Sequence, residues 1–87
     1  MIEFRRTRRF NRDFLSLPRR VQDAAAEKLE LFALSPRYPS LRLKRVGGTE
    51  NLWEISVTMQ HRITLEFLDE THAELRQIGT HKVLDQP

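Results

Sequence analysis

The sequence offers cations and histidines but no ready-made catalytic motif. It has no phosphate-binding glycine loop, no dinucleotide fingerprint, no HExxH helix and no nucleophile elbow. His61, His72 and His81 are too scattered for their spacing to define a metal site, and there is no cysteine. No metal and no other cofactor is expected. Ser16, Ser35, Ser40 and Ser56 have no evident triad partners. Arginine, lysine and histidine together do suit one reaction, cleavage of RNA through its own 2′-hydroxyl. That reaction needs a base for the hydroxyl, a cation for the charge developing around phosphorus, and an acid for the departing oxygen. The three residue types can fill these roles without a metal.

Periodicity suggests the elements that would position them. Ile2 and Phe4 alternate with Glu3 and Arg5, which predicts a first strand over residues 2–6. Thr7 can cap a short helix carrying Phe10, Phe14 and Leu15. Pro18 closes that helix and can open the next, which runs to Leu34. Its expected apolar stripe is Val21, Ala24, Ala25, Leu31 and Phe32, flanked by Lys28 and opposed by Arg20, Asp23, Glu27 and Glu30. Pro36 and Pro39 mark a loop. Beyond it the period becomes strand-like: 41–46 ending at Gly47-Gly48, 52–58, 61–68 after a tight Met59-Gln60 link, and 73–78 ended by Gly79. The prediction is an α+β fold: an N-terminal strand, an αα-hairpin, then a four-strand antiparallel meander with the helices on one face. The 87 residues are expected to form a single domain, 1–87.

The other sheet face should be wet and charged. If Trp53, Ile55, Val57, Ile63, Leu65 and Phe67 face the helices, Glu54, Ser56, Thr58, Arg62, Thr64 and Glu66 face away. Arg42, Lys44 and Arg76 can join them. The chain carries 15 Lys and Arg against 12 Asp and Glu, a formal charge of +3. Arginines 5, 6, 8, 9 and 12 cluster near the start, and Arg42, Lys44 and Arg45 cluster in the middle. The acids Asp23, Glu27 and Glu30 lie elsewhere. Charge segregated in this way suits a phosphate backbone, although a solvated basic surface would look the same. The absence of cysteine, of a signal-peptide-like start and of a membrane-length apolar run leads to the expectation of a cytoplasmic protein without a membrane partner.

At Leu43-Lys-Arg-Val-Gly-Gly-Thr-Glu-Asn-Leu-Trp-Glu-Ile-Ser-Val57 the sequence resembles the central strands of the RelE/ParE toxin superfamily. His61-Arg62-Ile63 and Ile78-Gly-Thr-His81 are similar to two further family segments, and the resemblance spans the chain in order and length. It implies a type II toxin–antitoxin toxin that cleaves messenger RNA on the ribosome. The implied partners are a cognate antitoxin, the ribosome and messenger RNA, with DNA reached only through the antitoxin complex. The same fold also serves gyrase-inhibiting toxins and catalytically silent, antitoxin-binding relatives, so these alternatives stay open.

The resemblance assigns Arg62 to the scissile phosphate, His81 to proton transfer and Lys44 to phosphate or base work. Arg42, Arg45, His61, Arg76 and Lys82 are the further RNA-binding candidates. Arg62 can alternatively be a cross-strand partner of Glu54 or Glu66. His81 can be a plain surface histidine, Lys44 an edge-strand lysine, and His61 a core-edge residue sharing the parity of Ile63. The sequence departs from the family pattern at Thr58, where active relatives place an additional arginine, and at Gln60, where some place a glutamate. Lys82, Val83 and Leu84 follow His81 in place of an aromatic.

Overall fold

In this chain two kinds of periodicity build a sheet with two helices laid across one face. The computed structural model describes residues 1–84, so the end of the expected C-terminal tail, residues 85–87, lies outside the described residues. The elements are β1 (Glu3–Arg6), α1 (Arg8–Leu15), α2 (Arg19–Leu34), a 3-10 turn (Pro39–Leu41), β2 (Lys44–Arg45), β3 (Leu52–Ser56), β4 (His61–Phe67), β5 (His72–Thr80) and a second 3-10 turn (His81–Leu84). The sheet order is β1-β5-β4-β3-β2. β2 to β5 form the expected antiparallel meander, and β1 returns beside β5 in parallel. The α+β prediction therefore holds.

Thr7 caps α1 as expected, its hydroxyl accepting from the Phe10 N–H at 3.1 Å. The same hydroxyl lies 3.0 Å from the Leu75 and Arg76 carbonyls, which pins the start of α1 to β5. α2 starts after Pro18, and Gln22 Nε2 donates to the Leu17 carbonyl at 3.0 Å across the helical hairpin. The buried row of α2 is Val21, Ala25, Leu29 and Phe32. Leu31 and Ala24, placed in the stripe by sequence, pack only at its margin. The cause is geometric: residues four apart stack on one side of a helix, and the row through positions 21, 25 and 29 is the one that meets the sheet. Across from it lie Ile55, Ile63, Leu65, Ala73, Leu75 and Ile78. Aromatic contacts run through this layer, with Phe4 on Phe32, Phe32 on Phe67, and Phe67 edge-on to Trp53.

Three expectations about the strands need correction. The strand at 41–46 shrinks to two residues, because Leu41 is buried in a 3-10 turn begun at Pro39 and Arg42 takes a left-handed conformation with φ 51°. That reversal keeps the chain from pairing with β3 before Lys44. β3 ends at Ser56 rather than Thr58, and β5 runs through Gly79 to Thr80. The face away from the helices is also not uniformly wet: Glu54, Thr64 and Gln77 are buried on it. Thr64 pairs in register with Glu54 on one side and Gln77 on the other, in the middle of the sheet. The long side chains of Arg62, Glu66 and Arg76 flank this row, and the C-terminal 3-10 turn packs on β4 and β5.

One irregularity sets the phase of β5. Thr64 pairs with Gln77 but Leu65 pairs with Leu75, which leaves Arg76 as the extra residue of a β-bulge. The bulge lets Leu75 and Ile78, three residues apart, both reach the core.

Candidate active site

The register of the sheet decides which candidates share a face. Lys44 is opposite Glu54, Glu54 is opposite Thr64, and Ser56 is opposite Arg62. Side chains directly opposite each other in an antiparallel pair project to the same side, so these residues stand together on the face away from the helices. With Arg42 they line a shallow pocket of about 230 Å³ whose walls are Arg42, Lys44, Glu54, Ser56 and Arg62.

Glu54 organises that pocket. Its side chain is only 6% exposed, and its Oε1 lies 3.8 Å from Arg62 Nε and 4.0 Å from Lys44 Nζ. A buried carboxylate requires compensating cations, and here it draws both toward one point. Glu54 was not among the site residues read from the sequence. The strand alternation did place it on this face, and the signal for its role is that it is the acid whose position falls between Lys44 and Arg62.

Arg62 is itself mostly covered, with 13% of its side chain exposed. Its Nη1 donates to three backbone carbonyls at the β3–β4 link: Thr58 at 2.7 Å, His61 at 2.9 Å and Met59 at 3.3 Å. The guanidinium therefore caps the hairpin while Nε faces Glu54. It is held on two sides, and such a preset cation needs little reorganisation to meet an anion.

His81 follows the last residue of β5, beside the β3–β4 link and next to the pocket rather than in its wall. Its Nε2 lies 3.2 Å from the Met59 carbonyl. A carbonyl can only accept, so Nε2 carries a proton and donates it to Met59. The 3-10 turn that carries His81 rests on Gly79, whose register partner is Arg62. A Cβ at Gly79 would lie 2.9 Å from Val83 Cγ1, so the absence of a side chain there is what lets the turn sit down.

The remaining candidates are dispersed. Arg45 is opposite Trp53 and lies over its ring at 5.5 Å, on the helix side of the sheet and away from Arg62. His61 shares the parity of Ile63 and also faces that side. Its Nδ1 is 2.8 Å from Thr58 Oγ1, which already accepts the N–H groups of Gln60 and His61, so the hydroxyl donates to the ring. Thr58, standing where the family pattern has an arginine, thus serves the hairpin turn and brings no charge. Arg76 stands on the β5 bulge, paired with Glu66 at 3.2 Å and near Glu74 at 4.0 Å, and lines a separate shallow depression. Lys82 is exposed on the C-terminal turn. Among the described residues, no group of three or more His, Cys, Asp or Glu could hold a metal ion, and no helix is long and apolar enough to cross a membrane.

No family model matches the sequence, and no curated protein matches it. Solved structures do. The chain is similar to the YoeB/ParE toxin from Agrobacterium tumefaciens, with 14% identity and a TM-score of 0.77 over 92% of this chain and 99% of that one. It is similar to the RelBE2 toxin–antitoxin complex from Mycobacterium tuberculosis, with 21% identity and a TM-score of 0.69 over 92% and 98%. It is also similar to YafQ from E. coli, with 13% identity and a TM-score of 0.71 over 97% and 98%. With these TM-scores and coverages, the chain has the fold of the RelE-like toxins along nearly its whole length.

Proposed function

We propose that this chain is the toxin of a toxin–antitoxin pair and that it cleaves messenger RNA on the ribosome without a metal. The observation that carries the reading is the place of Arg62, which shares Glu54 with Lys44 and the Met59 carbonyl with His81, in a fold whose solved relatives are toxins, several of them in complex with an antitoxin. In this reading the 2′-oxygen of the RNA attacks the adjacent phosphorus. The new O2′–P bond forms as the P–O5′ bond breaks, which leaves a cyclic phosphate and a free 5′-hydroxyl. Arg62 and Lys44 offset the charge that gathers on the phosphoryl oxygens. His81 exchanges the proton through Nδ1, the ring nitrogen not turned to the Met59 carbonyl: it takes the proton of the 2′-hydroxyl and passes it to the departing 5′-oxygen. Ser56 and Arg42 line the pocket and would contact the flanking backbone.

The cognate antitoxin would be an acidic or amphipathic segment that is disordered alone and folds on docking. Binding to the folded toxin alone would raise its melting temperature in a concentration-dependent way. The direct test of the activity is a cleavage assay on translating ribosomes, with messenger cuts at ribosome-occupied codons as the expected result.

A second reading is favoured by one specific observation. Arg62 Nη1 is already committed to three carbonyls, and Thr58 supplies no further cation. A silent relative that binds antitoxin without cutting RNA would have this arrangement. It predicts tight antitoxin binding and no cleavage at full ribosome occupancy.

A further inference from the structure

The start of α1 is built against its own stability. Arg8 and Arg9 occupy the first turn, where the helix dipole is positive, and no acidic residue balances them there. Arg8 and Arg12 are four residues apart on one helix face, a like-charge pair that also destabilises. Among the described residues, Arg8 has no ion-pair partner. Arg9 faces Asp13 at 3.8 Å and Arg12 faces it at 3.5 Å, so one carboxylate serves two guanidiniums. All three arginines are exposed. An eight-residue helix has little intrinsic stability to spare. Thr7 caps the helix and Asp13 partly offsets Arg9 and Arg12, but among the described residues nothing offsets Arg8, and a local conflict left in place marks a surface kept for binding.

We propose that Arg8, Arg9 and Arg12 form an RNA-docking surface separate from the pocket at Arg62. It rests on the reading of the chain as an RNA-directed toxin and says which surface supplies the sequence-independent grip. Thr7 fixes the first turn of α1 to the carbonyls of Leu75 and Arg76, so the patch begins where β5 carries its bulge. Its cations are all arginines, whose planar forks match phosphates in two-point contacts. Exposed guanidiniums spaced along one helix match the charge of a phosphate backbone, and none of the three lines the apolar groove that Phe4, Phe10, Phe14 and Leu29 form between the helices.

Arg8, which costs helix stability, would supply affinity, so its replacement should move the two quantities in opposite directions. Arg8→Glu puts an acid at the positive end of the dipole and creates a favourable pair with Arg12, so the melting temperature should rise by about a few degrees. Binding to a fluorescein-labelled RNA hairpin, titrated over a KCl series, should weaken about tenfold in the double variant Arg8→Glu, Arg9→Gln. Its log–log salt slope should flatten by roughly 0.7–0.9 for each phosphate that the variant no longer neutralises. Arg8→Lys should keep most of the affinity. Unchanged hairpin affinity and salt slope in the double variant would overturn the proposal. So would intact RNA binding together with lost binding to poly-glutamate or to phosphatidylglycerol vesicles, which would assign the patch to an acidic protein or a lipid surface. The assay reads binding without cleavage, so it gives the same answer whether or not the chain cuts messenger RNA.

Discussion

Arg62 and His81, nineteen positions apart in sequence, donate to the same acceptor, the carbonyl of Met59. The hairpin between β3 and β4 therefore holds the two candidate catalytic side chains in a fixed relation. Arg62 brings a cation already oriented by Glu54, and His81 brings a ring whose Nε2–H the carbonyl holds.

Substitution of Arg62 should separate geometry from charge. Arg62→Lys keeps a cation for Glu54 but loses the planar fork. Arg62→Ala removes all three hydrogen bonds to the hairpin carbonyls and leaves Glu54 with Lys44 alone. We expect activity to fall in the order wild type, Lys, Ala, and the alanine variant to lose about 1–3 kcal/mol of stability while staying folded. Urea unfolding and a cleavage assay on the same preparations check both parts. Full activity in both variants would remove Arg62 from the mechanism.

His81→Ala should lower turnover by about a hundredfold or more, with ribosome affinity nearly constant, and should change the shape of the pH–rate profile. An unchanged profile would assign proton transfer elsewhere, with Lys44 next on this face of the sheet.

Gly79→Ala tests whether the C-terminal turn positions His81. The added methyl would meet Val83 Cγ1 and lift the turn from the sheet. Cleavage should fall although no reacting group has been touched, and a second change, Val83→Ala, should restore part of it. Loss of activity that Val83→Ala does not relieve would place the effect in the strand itself.

At the far end of β5, His72 lies between two carboxylates, with Nδ1 2.9 Å from Asp69 Oδ1 and Nε2 3.1 Å from Glu3 Oε2. The hydrogen bond to Asp69, then the charges of Asp69 and Glu3, raise the His72 pKa above its usual 6.5. The N–H of Thr71 and the imidazole lower Asp69 from 3.8 to about 2. A raised histidine contributes stability that is complete below the unfolded value and is lost as pH rises through the folded one. A depressed carboxylate contributes stability that is complete above its unfolded value and is lost as pH falls toward 2. The cluster should therefore be most stabilising between about pH 4 and 6.5. His72→Gln should flatten the decline in melting temperature above that window. The group is exposed, so the change should be small and should shrink with salt. An identical pH profile in the variant would contradict it.

Much of this was legible in the sequence. Apolar alternation places Trp53, Ile55, Ile63 and Leu65 on one face, and the same parity puts Lys44 and Arg62 together on the other. Local chemistry also sufficed at Thr7 and Pro18, because caps and helix starts depend on immediate neighbours. What sequence reading missed depends on residues distant along the chain. The left-handed Arg42 follows from burying Leu41, and the parallel partner of β1 is more than sixty residues away. The bulge at Arg76 was visible in principle, since Leu75 and Ile78 cannot share a face on a regular strand. Arg45 was grouped with the RNA-facing cations by proximity in sequence, yet strand alternation sends it to Trp53. Glu54 was read as a surface acid because burial of a carboxylate cannot be seen until its cations are placed.

The central claim is that the pocket around Arg62, Lys44 and Glu54 cleaves RNA with His81. The most direct measurement follows message integrity on translating ribosomes after addition of the purified protein, with wild type and Arg62→Ala compared at matched ribosome occupancy. The account predicts cuts at ribosome-occupied codons, ending in cyclic phosphate, for wild type and their loss in the variant. Intact messages at full occupancy of the wild-type protein would contradict it, and growth arrest with broken chromosomes would then direct attention to gyrase.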